Sequence, residues 1–291
     1  MPGRHQLPRR SVLRLFSFPT PEVAMEVVLS RSSEIVTALR PWRVRDLILP
    51  GVAVVLGCSL IPWAAASYRM VHHVLVGLPL RSFLAACVQF ATWTMLAGTV
   101  LVIWALDAPK RRFLAYCLVA LFFAGTLNGA VKVVTGRVRP KWSVALDQRN
   151  EGKLTEDEEF HNDLTTTDPA RMKADQWKWF TSERTYFFDR FESFPSGHAC
   201  ALFAMAAFLC VVYPQARVIW ILAAIGGSLA RVRFERHFPE DILVGGAIGL
   251  AVAHWVFSWK WLMSFGQRIV VQVEALSRRI SHRRTSPGEN N

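Results

Sequence analysis

RVRFERHFPED, residues 231–241, sets three arginines, a histidine and three acids between two apolar stretches, 216–230 and 242–259. Charge at that depth is expensive unless something compensates it. Working outward, four more apolar stretches appear, at 47–66, 82–106, 113–134 and 199–213. The pattern predicts an all-α, polytopic membrane bundle of six transmembrane helices, with a long external loop between helices three and four. The first three stretches approach or exceed the roughly 20 residues that cross a hydrocarbon core. The fourth and fifth are nearer 15, so they either run on into polar sequence or start below the membrane surface, which would recess FPSGH and ARVRFERHFPED. Pro50 and Pro62 in the first stretch are tolerable in a packed bundle.

Composition agrees with that class. A chain 52% hydrophobic with mean hydropathy +0.24 is too apolar for a soluble globule, and too charged for a featureless plug. The net charge of +12 could suggest nucleic acid, but no nucleic-acid module pattern appears and the basic residues form no aromatic-interleaved surface. Cys58, Cys87, Cys117, Cys200 and Cys210 sit in apolar runs without metal-type pairing and read as buried free thiols. The basic start offers no hydrophobic region followed by a cleavage site, so the first span is expected to serve as its own address.

Three parts are expected: a basic cytoplasmic segment 1–45, a six-span domain 46–259 with an external loop at 141–194, and a basic amphipathic tail 260–291. The head carries eight arginines, the link DAPKRR three cations and the tail six, all on one side of a six-span bundle. By the positive-inside rule that side is cytoplasmic. The loops 67–81 and 135–195 and the opening stretch then face outward. The tail places Trp261, Leu262, Phe265, Ile269, Val273, Leu276 and Ile280 at helical spacing, as an extension of the last helix or an interfacial helix against anionic lipid.

Three polar clusters fall on the outer side. KVVTGRVRPKW (132–142) ends the third span with Lys132, Arg137 and Arg139, then Pro140. These residues suit either a cation-rich helix C-terminus or an anion clamp. FESFPSGHAC (191–200) leads into the fourth helix with Ser196 near the N-cap and Gly197 beside it, a helix start with free N–H groups for an anion; an ordinary capped helix with an incidental His198 fits as well. In the opening stretch Pro239, Glu240 and Asp241 mark a helix start, with His237 four residues before Asp241. At that separation the carboxylate can take the imidazole Nδ1–H and leave Nε2 for a substrate. Otherwise the acids only suit the helix dipole. Topology brings the clusters to the ends of four helices on one side, and a phosphate monoester or diphosphate would neutralise the cations gathered there. Arg137, Arg233 and Arg236 are read as rim charges.

These residues resemble the type 2 phosphatidate phosphatase and vanadium haloperoxidase superfamily, in its membrane lipid-phosphatase branch. The signature is a Lys, six residues and Arg-Pro; then Pro-Ser-Gly-His; then Ser-Arg, five residues, His, three residues and Asp. This chain has Lys132 with Arg139-Pro140, then Pro195-Ser196-Gly197-His198, then Arg231, His237 and Asp241 at those spacings. Ala230 stands where the family has serine, and Ser228, two positions away on a helix, points elsewhere.

The resemblance implies an integral membrane phosphoric ester hydrolase that needs no metal or other cofactor, with a membrane lipid phosphate as substrate: phosphatidate, phosphatidylglycerol phosphate, undecaprenyl diphosphate or a lipid A type. It implies His237 as nucleophile forming a phosphohistidine, Asp241 behind it and His198 as general acid and base. Lys132, Arg139, Ser196, Gly197 and Arg231 would hold the phosphate oxygens. A bacterial inner membrane with both termini cytoplasmic and the site periplasmic is the expected location. The rival readings are a lipid phosphotransferase of the same superfamily and a membrane transporter; a soluble haloperoxidase does not fit the spans.

Overall fold

The computed structural model describes residues 44–141 and 192–285. The head before residue 44 and most of the expected external loop lie outside the described residues. Among the described residues every regular element is helical. In chain order they are α1 (Ile48–Leu60), α2 (Ala64–Gly77), α3 (Arg81–Gln89), α4 (Trp93–Leu106), α5 (Leu114–Thr135), α6 (Gly197–Val212), α7 (Arg217–Arg233), α8 (Pro239–Phe257) and α9 (Lys260–Thr285).

Among the described residues four helical stretches are long and apolar enough to cross a membrane: Arg45–Gly77, Ala108–Thr135, Pro214–Arg233 and Pro239–Phe257. A fifth is reached if the bent pair α3 and α4 is one span. Helix α6, with 16 residues, is apolar but shorter, about 24 Å by its rise per residue.

Two boundaries differ from the sequence reading. The first stretch does not end at 66: through the 3-10 turn Ile61–Trp63, where Pro62 sits, α1 runs into α2 as far as Gly77. Residues 67–76 hold no helix breaker, and Ser67, Tyr68 and His72 turn toward the bundle while Arg69 and His73 stay exposed, with Tyr68 buried and stacked on His72 at 5.2 Å between centroids. The expected outer loop at 67–81 is therefore mostly helix. The second stretch, in turn, is not one straight helix, since α3 and the α4 segment from Thr94 are bent by 64°. Thr92 takes the N-cap of α4, its Oγ1 accepting from the Met95 N–H at 3.4 Å. Such a cap starts a new helix rather than continuing the old one.

Helix α8 is the centre of the bundle and packs against α1, α5 and α6. Its contact with α6 is backbone to backbone. A Cβ at Gly245 would lie 2.3 Å from the Ser196 carbonyl oxygen, and one at Gly249 2.1 Å from that of Cys200. In lipid, where burying apolar surface drives nothing, such small-residue contacts set how closely helices approach. They also place the start of α6 directly on the first turns of α8.

At the other end of the bundle α9 packs on the turn Ala108–Phe113 and on α5. Leu262 and Val270 are buried there and Arg111 reaches Glu274 at 2.7 Å, while Trp261, Phe265, Ile269, Val273 and Leu276 stay exposed. The expected amphipathic tail is thus a helix with one packed face and a neighbouring open apolar stripe. All five cysteines are free, but Cys58 is exposed and Cys210 only half-buried.

Candidate active site

The three clusters meet where α5 ends, α7 ends and α6 and α8 begin. Helix α5 stops at Gly136, whose left-handed backbone (φ 54°) would strain any other residue, and whose N–H caps the Lys132 carbonyl at 3.0 Å. The chain then turns inward. Its Arg137 carbonyl accepts from the Ser193 N–H at 3.0 Å, and Thr135 Oγ1 donates to the Phe194 carbonyl at 2.9 Å, so the first cluster is pinned to the approach of the second. Ser196 is the N-cap of α6, Oγ accepting from the Ala199 N–H at 3.4 Å. Its own N–H donates to the Asp241 carbonyl at 2.9 Å, which ties the second cluster to the third.

His237 lies in the short link between α7 and α8, almost fully buried. Its Nδ1 is 2.7 Å from the Ser193 carbonyl, an acceptor only, so that nitrogen carries the proton and Nε2 keeps its lone pair. Asp241 stands behind the ring with Oδ2 3.7 Å from Nδ1. The sequence reading gave the Nδ1 proton to Asp241. In the structure a backbone carbonyl holds it, and the carboxylate is engaged elsewhere: Oδ1 accepts from Arg137 at 2.5 Å, and Oδ2 from Ser193 Oγ at 2.5 Å and the Phe238 N–H at 2.8 Å.

Arg137 corrects a second expectation. It is no rim charge but has no solvent exposure, with one Nη on Asp241, the other on Glu240 Oε1 at 2.6 Å, and its guanidinium 4.1 Å from the Phe238 ring centroid. Glu240, equally buried, meets Ser67 Oγ of α2 at 3.5 Å, and Tyr68 of the same helix packs edge-on to Phe238 at 5.6 Å. Arg137, Ser193, Glu240 and the α2 support were missed from sequence. For Arg137 a signal existed, namely a charge two residues before the motif's own arginine; for Ser193 there was none.

The other expected residues surround this buried core. Lys132, Gly197, His198 and Arg231 are half-buried and Arg139 is buried. The Lys132 Nζ lies 3.8 Å from the place a Cβ would take on Gly197, and it donates to the Glu192 carbonyl at 3.1 Å with Glu192 Oε2 at 3.4 Å. His198 sits in the positive field of Arg231, Lys132, Arg139 and Arg236, so Arg236 also belongs near the site. Burial pushes the His237 imidazole down to about 3, against the pull of Asp241, and Arg139 and Arg231 depress it further. Both histidines therefore feel Arg139 and Arg231. Ala230, in the place of the family's serine, is fully buried, and Ser228 donates its hydroxyl to the Ala224 carbonyl at 2.8 Å, turned into its own helix.

What this arrangement can do is specific. A neutral imidazole with a fixed tautomer is a nucleophile, and the cations beside it suit a phosphoryl group. The family comparison matches this chain to the PAP2 superfamily over residues 113–264, just over half its length and every residue of the three clusters. The chain belongs to the PAP2 superfamily.

Among curated relatives, a lipid A 1-phosphatase of Rhizobium johnstonii is 27% identical over 46% of this chain and 43% of its own. A lipid A 1-phosphatase of Rhizobium etli is 41% identical over 20% of this chain and 25% of its own. The bacitracin transport permease protein BcrC of Bacillus licheniformis is 25% identical over 30% of this chain and 43% of its own. The matches thus span less than half the length of each of these relatives. Among solved structures, Aquifex aeolicus LpxE superposes with a TM-score of 0.41 at 17% identity, covering 66% of this chain and 93% of that one.

Proposed function

We propose that this protein is an integral membrane lipid phosphatase that hydrolyses a lipid phosphate monoester or diphosphate through a phosphohistidine, without a metal ion. The observation that carries the reading is the His237 Nδ1 contact with the Ser193 carbonyl, which keeps Nε2 nucleophilic beside the cations Arg139 and Arg231. His237 Nε2 attacks phosphorus in line, forming the N–P bond as the P–O bond to the leaving group breaks. His198, protonated when the anionic phosphate offsets the cations around it, gives its proton to the departing oxygen. His198 then takes a proton from water, whose oxygen bonds phosphorus as the N–P bond breaks, and inorganic phosphate leaves. Asp241, held by Arg137, stabilises the positive charge that the ring acquires. Lys132, Arg139 and Arg231, with Ser196 and the Gly197 N–H at the start of α6, hold the non-bridging oxygens as charge builds on them.

The full architecture in this reading has six spans, α3 with α4 and α6 completing the four long ones. The termini lie in the cytoplasm of a bacterial cell whose inner membrane holds the protein, and the site opens at the outer leaflet. A lipid phosphate suits that place because its headgroup rests at the level of the helix ends while its chains remain in the bilayer. Two relatives named lipid A 1-phosphatase favour the phosphate of a lipid A type over the other candidates.

The test is phosphate release by the purified full chain from lipid A, phosphatidate, phosphatidylglycerol phosphate and undecaprenyl diphosphate, in EDTA, beside His237→Ala. Release from at least one substrate, abolished in the variant, is the expected result. Release that vanishes with chelator and returns with Mg²⁺, or an unaffected variant, overturns the mechanism.

A further inference from the structure

Helix α5 carries a second polar residue on the face that bears Lys132, and neither the signature nor the mechanism above uses it. Asn128 lies one turn before Lys132, so the two side chains share a side of the helix. It is 3% exposed, on a helix that crosses the apolar part of the bundle. Its Oδ1 has no hydrogen-bond partner. Its Nδ2 lies 3.4 Å from the position a Cβ would take on Gly197, against 3.8 Å for the Lys132 Nζ. Amide and ammonium therefore flank the same glycine at the start of α6.

A buried amide with an unsatisfied oxygen is unfavourable in a finished fold, and most such groups in proteins are partnered. Packing alone does not explain it, because an apolar side chain of similar size would fill the helix interface without the orphan. A ligand does. We infer that Asn128 is a further substrate-contacting residue, one that binds the phosphoryl group seated on the α6 N-terminus. The inference rests on the function proposed above. Nδ2 donates to a non-bridging oxygen from the α5 side of the site, beside Lys132. Oδ1 accepts from the Lys132 ammonium as this leaves Glu192 for the phosphate. Both amide atoms are then satisfied, and only in the loaded site.

The residue is tested with the purified full chain by kcat/KM on the best lipid phosphate, by the inhibition constant of inorganic phosphate, and by the melting temperature. Asn128→Ala is expected to melt no lower than the wild type, since it removes an unpaired polar group. Its kcat/KM should fall about ten- to a hundredfold, the range of a hydrogen bond to a charged group, and phosphate should inhibit it more weakly. Asn128→Ser, which restores a donor, should recover part of both. Unchanged activity and phosphate inhibition in Asn128→Ala overturn the inference while leaving the proposed function intact. A lowered melting temperature that accounts for the lost activity overturns it too, as the amide would then be structural. A wild type that releases no phosphate and equals His237→Ala brings down the proposed function, and this inference with it.

Discussion

Arg137 donates to Asp241 at 2.5 Å from a position with no exposure to solvent, and its other nitrogen holds Glu240 at 2.6 Å. One cation thus carries two buried carboxylates, one of which stands behind the proposed nucleophile. Removing one partner of a buried pair strands the other charge at a cost of about 3–5 kcal/mol. We expect Arg137→Ala to lower the melting temperature sharply and to abolish phosphate release. Glu240→Gln keeps the Asp241 contact and should be far milder in both. Comparable, small effects in the two variants would show that the guanidinium does not hold the carboxylate in place.

Because the Ser193 backbone carbonyl holds the His237 proton, the tautomer should survive changes at Asp241. Asp241→Asn would keep Nε2 unprotonated yet lose the charge that stabilises the imidazolium, so kcat should fall steeply. Ser193→Ala removes one hydrogen bond to Asp241 and leaves the carbonyl in place. A bond to a charged group contributes about 1.5–3 kcal/mol, and part of it here serves the transition state, so we expect a loss of about tenfold in kcat with KM nearly unchanged. Equal losses in the two variants would argue that Asp241 acts chiefly through its bond to the Ser193 hydroxyl rather than through its charge.

The helical class, the membrane setting and the meeting of the three motif segments were legible in sequence, because apolar stretches and motif spacing are local signals. What failed had causes beyond local reading. The length of α2 depended on its polar face, Ser67 to His72, finding partners at Phe238 and Glu240, which are about 170 residues away in sequence. Arg137 was placed at the rim because an arginine near a helix end usually snorkels, whereas here two acids on another helix draw it inward. The Ser193 carbonyl is a backbone atom and has no sequence signal at all.

The depressed His237 sets a pH dependence with a definite sign. Its folded value of about 3 lies below the ordinary value of 6.5, so between the two the unfolded chain binds the proton and the folded protein does not. The contribution to stability is complete above about pH 6.5 and is lost as pH falls toward 3, by up to about 1.4 kcal/mol per pH unit. We expect the melting temperature to drop between pH 6.5 and 5, and to drop less in His237→Gln. Parallel curves for wild type and variant would contradict a neutral, buried ring in the folded state.

The proposed phosphate seat at the start of α6 depends on two glycines of α8. Gly245 and Gly249 let α8 meet the backbone of α6 at Ser196 and Cys200, where added Cβ atoms would lie 2.3 and 2.1 Å from carbonyl oxygens. Backbone cannot rotate away as a side chain can, so Gly245→Ala must push the start of α6 off α8 and loosen the Ser196 N–H bond to the Asp241 carbonyl. That displacement separates the start of α6, the proposed anion site, from His237, and a shift of about 1 Å can cost about a hundredfold in rate. Gly51→Ala is the control, since nothing lies within 4 Å of a Cβ there and alanine is the better helix former. We expect Gly245→Ala to lose most of its activity and several degrees of stability, Gly249→Ala to lose stability chiefly, and Gly51→Ala to lose neither. Full activity in Gly245→Ala would mean that the two helix starts need not touch for the site to form.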